Sequence, residues 1–195
     1  MAAVLKPHVT AADYLAAERT GKTKHEYAAG QVYAMAGASE RHNLVAGNTF
    51  ASLHAQLRRR SCNVYPSDMR VKTRAMGLYT YPDLSIVCGT PQFEDERRDT
   101  LLNPTVIVEV LSPTTESYDR GRKFQHYRTM PSLVEYVLIA QDALHVEHYT
   151  RQAEGRWLLA EADGPDGVIH LSSIGCDLTL AEIYEKVDWG ADTEG

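Results

Sequence analysis

The sequence predicts a mixed α/β fold of the α+β kind, in which helices flank a mixed β-sheet core. Two nearly continuous apolar runs, residues 84–88 and 105–111, are rich in β-branched side chains. Such runs are typical of central strands that are buried on both faces. Residues 40–60 instead carry apolar side chains at helical spacing. The succession of helix, hairpin, long helix, strands, helix, strand and hairpin favours a sheet with helices packed on it.

The first half of the chain contains two helix-start signals. Thr10 and Ser39 each stand just before a helical pattern and are expected to act as N-caps. The runs on either side of Gly30 predict a hairpin. The predicted elements are a helix at residues 10–19, hairpin strands at 24–27 and 31–35, the long helix at 40–60, and a strand at 63–71 interrupted by Pro66.

The second half continues with a helix that Asp119 is expected to cap and that runs to about residue 130. A strand at 134–139, a hairpin at 146–149 and 157–161, and a short helix at 180–187 follow. No repeat or Pro/Gly/Ser-rich linker divides the chain. We therefore expect one domain over residues 1–195, with a core at about 10–142 and a C-terminal hairpin and helix at about 143–190.

The composition is that of an ordinary globular protein, with 195 residues, 44% hydrophobic and 24% charged. No run approaches the roughly 20 apolar residues that span a bilayer, and residues 1–9 lack the apolar region of a secretory signal. A cytoplasmic location without membrane contact is expected. The odd number and wide spacing of Cys62, Cys88 and Cys176 predict reduced, mostly buried thiols rather than a disulfide or a zinc site.

The formal net charge of −6 is unusual for a protein that binds nucleic acid, which is more often basic. Local clusters of basic residues matter more to a phosphate backbone than the total charge does. Each cluster has the alternative interpretation of a solvated loop or helix end. The clusters are Arg58 to Arg60, Lys72 with Arg74, Arg97 with Arg98, and Arg120 with Arg122 and Lys123.

Two acidic residues occur where burial should disfavour them. Asp83 begins the first apolar run, and Glu109 lies inside the second. A carboxylate in a central strand needs a partner, a proton or a metal. Neighbouring strands lie about 4.8 Å apart, so Asp83 and Glu109 could share one cation, and their hard oxygen atoms suit Mg²⁺ or Mn²⁺.

Structural interpretations of the same residues stay open at this point. Asp83 would face solvent at a strand start, and Glu109 would pair with an arginine. Glu26 would be the cross-strand partner of a lysine, and His42 would lie on a helix surface. The cluster His145, Glu147 and His148 is interpreted as structural, because His148 alternates to the other face of a strand.

The motifs around the two acids resemble a known family. YPDLSIV at residues 81–87 and VEVLSPTT at residues 108–115 are similar to motifs of the Uma family of putative restriction endonucleases, which belongs to the PD-(D/E)XK nuclease superfamily. The resemblance covers roughly residues 10–142. It extends to Glu26 with Tyr27, Gly30 with Met35, His42, Asp119 with Lys123 and Tyr127, and Glu135 with Tyr136.

The resemblance implies a restriction-endonuclease-like fold and a set of site residues. Asp83 and Glu109 correspond to the two acidic positions of the superfamily. The superfamily lysine is expected two residues after the second acid, where this chain has Leu111. Lys123 on the following helix is the implied replacement. Glu26 is a further catalytic candidate, and His42 and Arg122 are candidates for binding the substrate.

Three functions follow from these expectations. The first is a Mg²⁺- or Mn²⁺-dependent endonuclease acting on DNA, in which homodimerisation is plausible. The second is a nuclease fold that binds its partner without catalysis, favoured by Leu111 and by the acidic net charge. The third is a metal-dependent hydrolase of a smaller phosphoester. A serine hydrolase and a nucleotide-binding protein are disfavoured because the GxSxG, Walker and dinucleotide glycine motifs are absent from the sequence.

Overall fold

The computed structural model describes residues 8–73 and 77–189. Arg74, a member of one predicted basic cluster, lies outside these residues. The helices are α1 (Ala11–Glu18), α2 (Glu40–Leu57), α3 (Glu116–Tyr118), a π-helical turn (Asp119–Lys123), α4 (Phe124–Tyr127) and α5 (Leu180–Ile183). The strands are β1 (His25–Ala28), β2 (Gln31–Ala34), β3 (Cys62–Pro66), β4 (Arg70–Lys72), β5 (Tyr79–Thr80), β6 (Leu84–Cys88), β7 (Thr100–Leu101), β8 (Val106–Leu111), β9 (Glu135–Ala140), β10 (His145–Arg151), β11 (Trp157–Asp163), β12 (Val168–Leu171) and β13 (Cys176–Thr179).

A six-stranded sheet with the order β11-β10-β9-β8-β6-β3 forms the centre of the fold. Strands β8 and β9 are parallel, and the remaining neighbours are antiparallel. Every residue of β8 and β9 is buried. The mixed sheet and the central position of both apolar runs are therefore confirmed.

Helices cover both faces of this sheet, as the alternation of side chains along β8 requires. Val106 and Val108 pack with the apolar stripe of α2 on one face. Ile107 and Leu111 face the other way and pack with the aromatic side chains of α4. The side chain of Glu109 alternates to this second face, under the segment that carries Lys123.

A second sheet, with the order β2-β1-β5-β4-β7, lies beside the central one, whereas the sequence predicted a single sheet. Tyr14 of α1 packs with Tyr27 and Tyr79 on this sheet. Strand β5 leads through Tyr81 and Pro82 directly into Asp83 and β6. This short connection brings the predicted hairpin, now β1 and β2, next to the start of β6.

Both N-caps predicted in the first half are confirmed. The Thr10 side chain accepts a hydrogen bond from the Asp13 backbone N–H, and the Ser39 side chain accepts one from the His42 backbone N–H. The single strand predicted at residues 63–71 is divided between two sheets as β3 and β4. Pro66 ends β3, and a turn closed by Met69 N–H on the Pro66 carbonyl redirects the chain.

The predicted capping role of Asp119 is wrong. Helical structure begins earlier, at Glu116, and Asp119 is the buried first residue of the π-helical turn. Thr115 and Glu116 instead bond back to the Ser112 carbonyl in the preceding turn. The antiparallel pair β12–β13 was not predicted from the sequence.

The prediction of three reduced thiols is also wrong. Cys62 on β3 and Cys88 on β6 are directly opposite in the antiparallel register and form a disulfide, with Cα atoms 4.0 Å apart. The pairing depends on strand register, which the spacing of 26 residues does not reveal. Cys176 is free and buried, as predicted.

Among the residues described, no helix is both long enough and apolar enough to cross a membrane. The longest helix, α2, is amphipathic in its burial: Val45, Thr49, Leu53 and Leu57 are buried, and its other polar residues are at least partly exposed. Its role is to cover the central sheet.

The disulfide predicts a specific thiol count. Protein denatured without reductant and treated with an alkylating agent should carry one modified cysteine, Cys176, by mass spectrometry. Reduction before alkylation should raise the number to three, since the chain has three cysteines. Three modified cysteines in the unreduced sample would contradict the pairing of Cys62 with Cys88.

Candidate functional site

Asp83 and Glu109 lie side by side at one end of the central sheet. The β6–β8 ladder pairs Leu84 with Val108, so the next position along it places Asp83 beside Glu109. Side chains alternate along both strands, and both acids therefore point to the face covered by α4. The strand neighbours predicted from the sequence are thus also neighbours in space.

Asp83 is held by two hydrogen bonds from different elements. Its Oδ2 accepts the backbone N–H of Val110 at 2.7 Å, beyond the end of the β6–β8 ladder. Its Oδ1 lies 2.8 Å from Nε2 of His42, which stands on the first turn of α2. The Asp83 side chain is 16% exposed, so the interpretation as a solvent-facing residue does not apply.

Glu109 is buried among groups that contact its carboxylate. Its Oε1 is 2.9 Å from Lys123 Nζ and accepts a hydrogen bond of 2.8 Å from the Tyr127 hydroxyl. Its partner is therefore a lysine rather than the arginine considered from the sequence. Because position 111 is a leucine, the positive charge next to Glu109 on this face of β8 comes from Lys123.

Lys123 lies at the centre of a group of acids. Besides Glu109, its Nζ is 3.3 Å from Asp119 Oδ1 and 3.5 Å from Glu26 Oε1. Asp119 and Lys123 are the first and last residues of the π-helical turn, and both are buried. Such turns often mark functional sites. Here the turn directs both side chains into the cluster.

Glu26 reaches the cluster from the second sheet. It also accepts a hydrogen bond from the Thr80 hydroxyl on β5. Within the hairpin its cross-strand partner is Tyr33, so the alternative of a cross-strand lysine does not apply. We call Glu26, Asp83, Glu109, Asp119 and Lys123 together the acidic cluster.

The charges of the acidic cluster do not balance. The cluster holds four carboxylates and one ammonium group. Glu26, Glu109 and Asp119 contact Lys123, and Asp83 contacts His42, the only other basic group that touches these carboxylates among the residues described. Burial raises the pKa of Glu109 well above its usual value, and Asp119 and Asp83 raise it further against the effect of Lys123. Burial alone would lower the pKa of Lys123, but the surrounding carboxylates outweigh it and hold that pKa well above its usual value.

Burial also raises the pKa of the Asp119 carboxyl, against the effect of the neighbouring Lys123. Its Oδ1 accepts no hydrogen bond from any described residue, although the Lys123 ammonium is close by. An excess of buried carboxylate oxygens, one of them without a hydrogen bond, matches the donor set that a hard divalent cation needs. The residues present therefore fit Mg²⁺ or Mn²⁺.

No group of three or more His, Cys, Asp or Glu side chains is already arranged around a cation position within residues 8–73 and 77–189. Three of the carboxylates, Glu26, Glu109 and Asp119, contact the Lys123 ammonium instead, and Asp83 contacts His42. A cation held by Asp83 and Glu109 would thus share the Glu109 carboxylate with Lys123.

The other predicted basic residues do not join the acidic cluster. Arg122 is exposed, and its charge acts on His126, whose pKa is lowered first by burial and then by this arginine. Arg120 pairs with Glu116 and Glu147. In the remaining clusters, Lys72 pairs with Glu94, Arg60 donates to the carbonyls of Ile174 and Gly175, and Arg58, Arg59, Arg97 and Arg98 are exposed.

The residue patterns of the sequence gave three residues no role in the site, namely Thr80, Asp119 and Tyr127. Asp119 was expected to be a helix cap, and Tyr127 was noted only through the family resemblance. Their spacing of four residues on either side of Lys123 is a signal for a shared helix face. Thr80 gave no signal, because its contact with Glu26 joins strands from distant parts of the sequence.

Comparison with known proteins places the whole fold in a family. A family model described as Uma2, putative restriction endonuclease, matches residues 11–181. The uncharacterized protein sll1609 of Synechocystis sp. is 37% identical over 164 residues, covering 84% of this chain and 93% of its own length. A second uncharacterized Synechocystis protein, slr1290, is 33% identical over 180 residues, covering 91% of this chain and 92% of its own length.

A solved structure gives the same result for the fold. A putative nuclease belonging to DUF820 from Anabaena variabilis matches with a TM-score of 0.72 and 17% identity, over 90% of this chain and 97% of the other. At that identity the likeness concerns the fold alone. The resemblance to the Uma family and the restriction-endonuclease-like fold that it implied are both confirmed.

Removal of the Lys123 ammonium group should expose the charge imbalance. In EDTA at neutral pH, Lys123→Met should lower the free energy of unfolding by about 3–5 kcal/mol, because buried carboxylates lose their partner. Without Lys123 the pKa values of Glu109 and Asp119, which burial already raises, should rise further in the folded state only. The folded state then binds more protons than the unfolded state, so the loss should shrink as pH falls.

Denaturant titrations at several pH values would measure this effect. Lys186→Met is a matched control, because Lys186 is 81% exposed in its side chain and should change stability by less than about 0.5 kcal/mol. A Lys123→Met protein as stable as the wild type at neutral pH would show that the carboxylates do not depend on this lysine.

Proposed function

This chain belongs to the Uma2 family of putative restriction endonucleases, and we propose that it is a metal-dependent endonuclease that hydrolyses phosphodiester bonds in DNA. Membership of this family supports nuclease chemistry in general. The observation that carries the proposal is the acidic cluster, in which Glu26, Glu109 and Asp119 contact one lysine and Asp83 lies beside Glu109 at the end of the central sheet. A location in the cytoplasm and action as a homodimer are parts of the same proposal.

Asp83 and Glu109 are the residues proposed to hold Mg²⁺ or Mn²⁺. When bound, such a cation supplies a more acidic water and neutralises charge that develops on the phosphoryl oxygens. The hydrogen bonds from Val110 N–H and His42 to Asp83 restrict the rotation of its carboxylate. The Tyr127 hydroxyl does the same for Glu109. Both ligands would therefore be oriented before any cation arrives.

Lys123 is proposed to act on the attacking water or on the charge of the transition state. Its Nζ lies 2.9 Å from Glu109 Oε1, so it can donate to an oxygen atom bound next to that carboxylate. Glu26 would hold the ammonium from the opposite side and accept a proton from water. His42, which is 16% exposed, and the exposed Arg122 are proposed to contact the phosphates of the substrate.

A second candidate is a nuclease fold that binds without catalysis. Two observations favour it: Leu111 stands at the superfamily lysine position, and the described residues contain no group already arranged around a cation. A metal-dependent hydrolase of a smaller phosphoester would use the same acidic cluster. Metal binding and DNA cleavage, measured on the same samples, separate these three functions.

Neutral substitutions of the two acids should abolish both properties. Calorimetric titration of Mn²⁺ should show binding to the wild type and at least tenfold weaker binding to Asp83→Asn and Glu109→Gln. Plasmid nicking should disappear in both variants while circular dichroism shows a folded protein. Glu161→Gln is the control, since this carboxylate is on β11 and is 54% exposed.

Each outcome of these titrations selects one function. Nicking by a folded Asp83→Asn or Glu109→Gln protein would contradict the assignment of the ligands. Metal binding without nicking would favour the smaller phosphoester. Absence of metal binding by the wild type, tested with and without DNA, would favour the module that binds without catalysis.

The raised pKa of Glu109 predicts that cations and protons compete for the acidic cluster. A cation needs the ionised carboxylate, so the affinity for Mn²⁺ should increase with pH through a range above the usual pKa of glutamate. Titrations in two buffers of different ionisation enthalpy should detect protons released on binding. An affinity that does not change with pH would show that Glu109 is already ionised without the cation.

A further inference from the structure

Strand β2 exposes apolar side chains next to the acidic cluster. It is the free edge of the five-stranded sheet. Tyr33 is 53% exposed and Met35, the residue after the strand, is 37% exposed. Large apolar side chains exposed together on one short segment often mark a binding surface.

The strand register places these side chains on the same face as Glu26. Tyr33 is the cross-strand partner of Glu26, and side chains of such partners are about 5 Å apart on one face. The Met35 N–H donates to the Lys24 carbonyl at 3.0 Å and continues the pairing. Met35 therefore shares this face with Tyr33. We call Tyr33 and Met35 the stacking platform.

No contact within the described chain explains the exposed Tyr33. Its hydroxyl makes no hydrogen bond with a described residue, and its ring packs on no other described aromatic ring. Tyr27 on the neighbouring strand, by contrast, is buried, stacks on Tyr14 and donates to the Val9 carbonyl. The apolar surface of Tyr33 is thus available to a bound molecule.

We infer that the stacking platform binds an unpaired nucleobase of the nucleic acid whose phosphate lies at the acidic cluster. This inference rests on the proposed function and narrows its substrate to DNA with unpaired bases next to the cleaved bond. A phosphate held near Glu26 and Lys123 leaves its neighbouring base within reach of Tyr33. Aromatic rings bind single-stranded bases in this way without selecting their sequence. A base inside a duplex is stacked on both faces, so neither face is free to contact Tyr33.

A second copy of the chain is a poorer occupant for this surface. Edge-to-edge pairing would use the four residues of β2. That length offers far less than the roughly 1,200 Å² that a stable interface buries. The position of Tyr33 directly beside Glu26 also favours a ligand that reaches the acidic cluster itself.

Equilibrium binding of labelled oligonucleotides would test the inference. Fluorescence anisotropy would be measured for a single strand, for the same strand with abasic sites, and for the matching duplex. Ca²⁺ would replace Mg²⁺ as the cation, and a gel would verify that the strands stay intact. The proteins would be the wild type, Tyr33→Ala, Tyr33→Phe and the control Leu158→Ala, which alters a residue 59% exposed on β11.

The expected result is a loss of single-strand affinity in Tyr33→Ala of roughly 5- to 100-fold. Tyr33→Phe and Leu158→Ala should bind as the wild type does, and the affinity for duplex should not change. Abasic sites should weaken binding by the wild type but not by Tyr33→Ala. This non-additivity is specific to direct contact between the ring and a base.

Any of four results would overturn the inference. If Tyr33→Ala and the wild type bind single strands with equal affinity, the stacking platform has no role in binding. The proposed function would still stand, because DNA binding is intact. An equal effect of abasic sites on both proteins would lead to the same conclusion. A wild type that binds neither single strand nor duplex would overturn the proposed function as well. Sedimentation of Tyr33→Ala as a monomer beside a dimeric wild type would assign the surface to a second copy instead.

Discussion

The structure depends on the balance between one buried ammonium group and the carboxylates around it. Lys123 is the only lysine or arginine among the described residues that contacts Glu109, which lies in a strand buried along its whole length. A buried carboxylate without a cation, proton or hydrogen bond would be too costly to keep. The helical segment on this face of the sheet must therefore place Lys123 within reach of β8, and its packing follows from that requirement.

The same balance explains how distant segments are joined. Glu26 comes from the second sheet, Asp119 and Lys123 from the π-helical turn, and Glu109 from the central sheet. Lys123 contributes the one positive charge, which compensates the three carboxylates only in part. The two sheets thus meet at a polar centre as well as through apolar packing, which makes the site sensitive to changes in either sheet.

Most of the central sheet could be predicted from the sequence, because burial on both faces leaves a continuous apolar run that few other structures share. The proximity of Asp83 and Glu109 followed from the same runs. Contacts that depend on register or on π-helical geometry could not be predicted. The Cys62–Cys88 disulfide and the contact of Thr80 with Glu26 join segments whose alignment has no local signal. The role of Asp119 was missed because a polar residue near a helix start usually acts as a cap.

The π-helical turn makes the spacing of the chain as important as its composition. In a π-helical turn the backbone hydrogen bonds span one residue more than in an α-helix, so the loss of one residue would return the segment to α-helical spacing without rotating the flanking turns. Phe124 could then keep its stacking on Tyr136, but the wider turn that buries both Asp119 and Lys123 would be lost. Arg122 is exposed within this turn, so its exchange would leave the buried contacts in place. A deletion here would therefore disturb the acidic cluster before the aromatic packing.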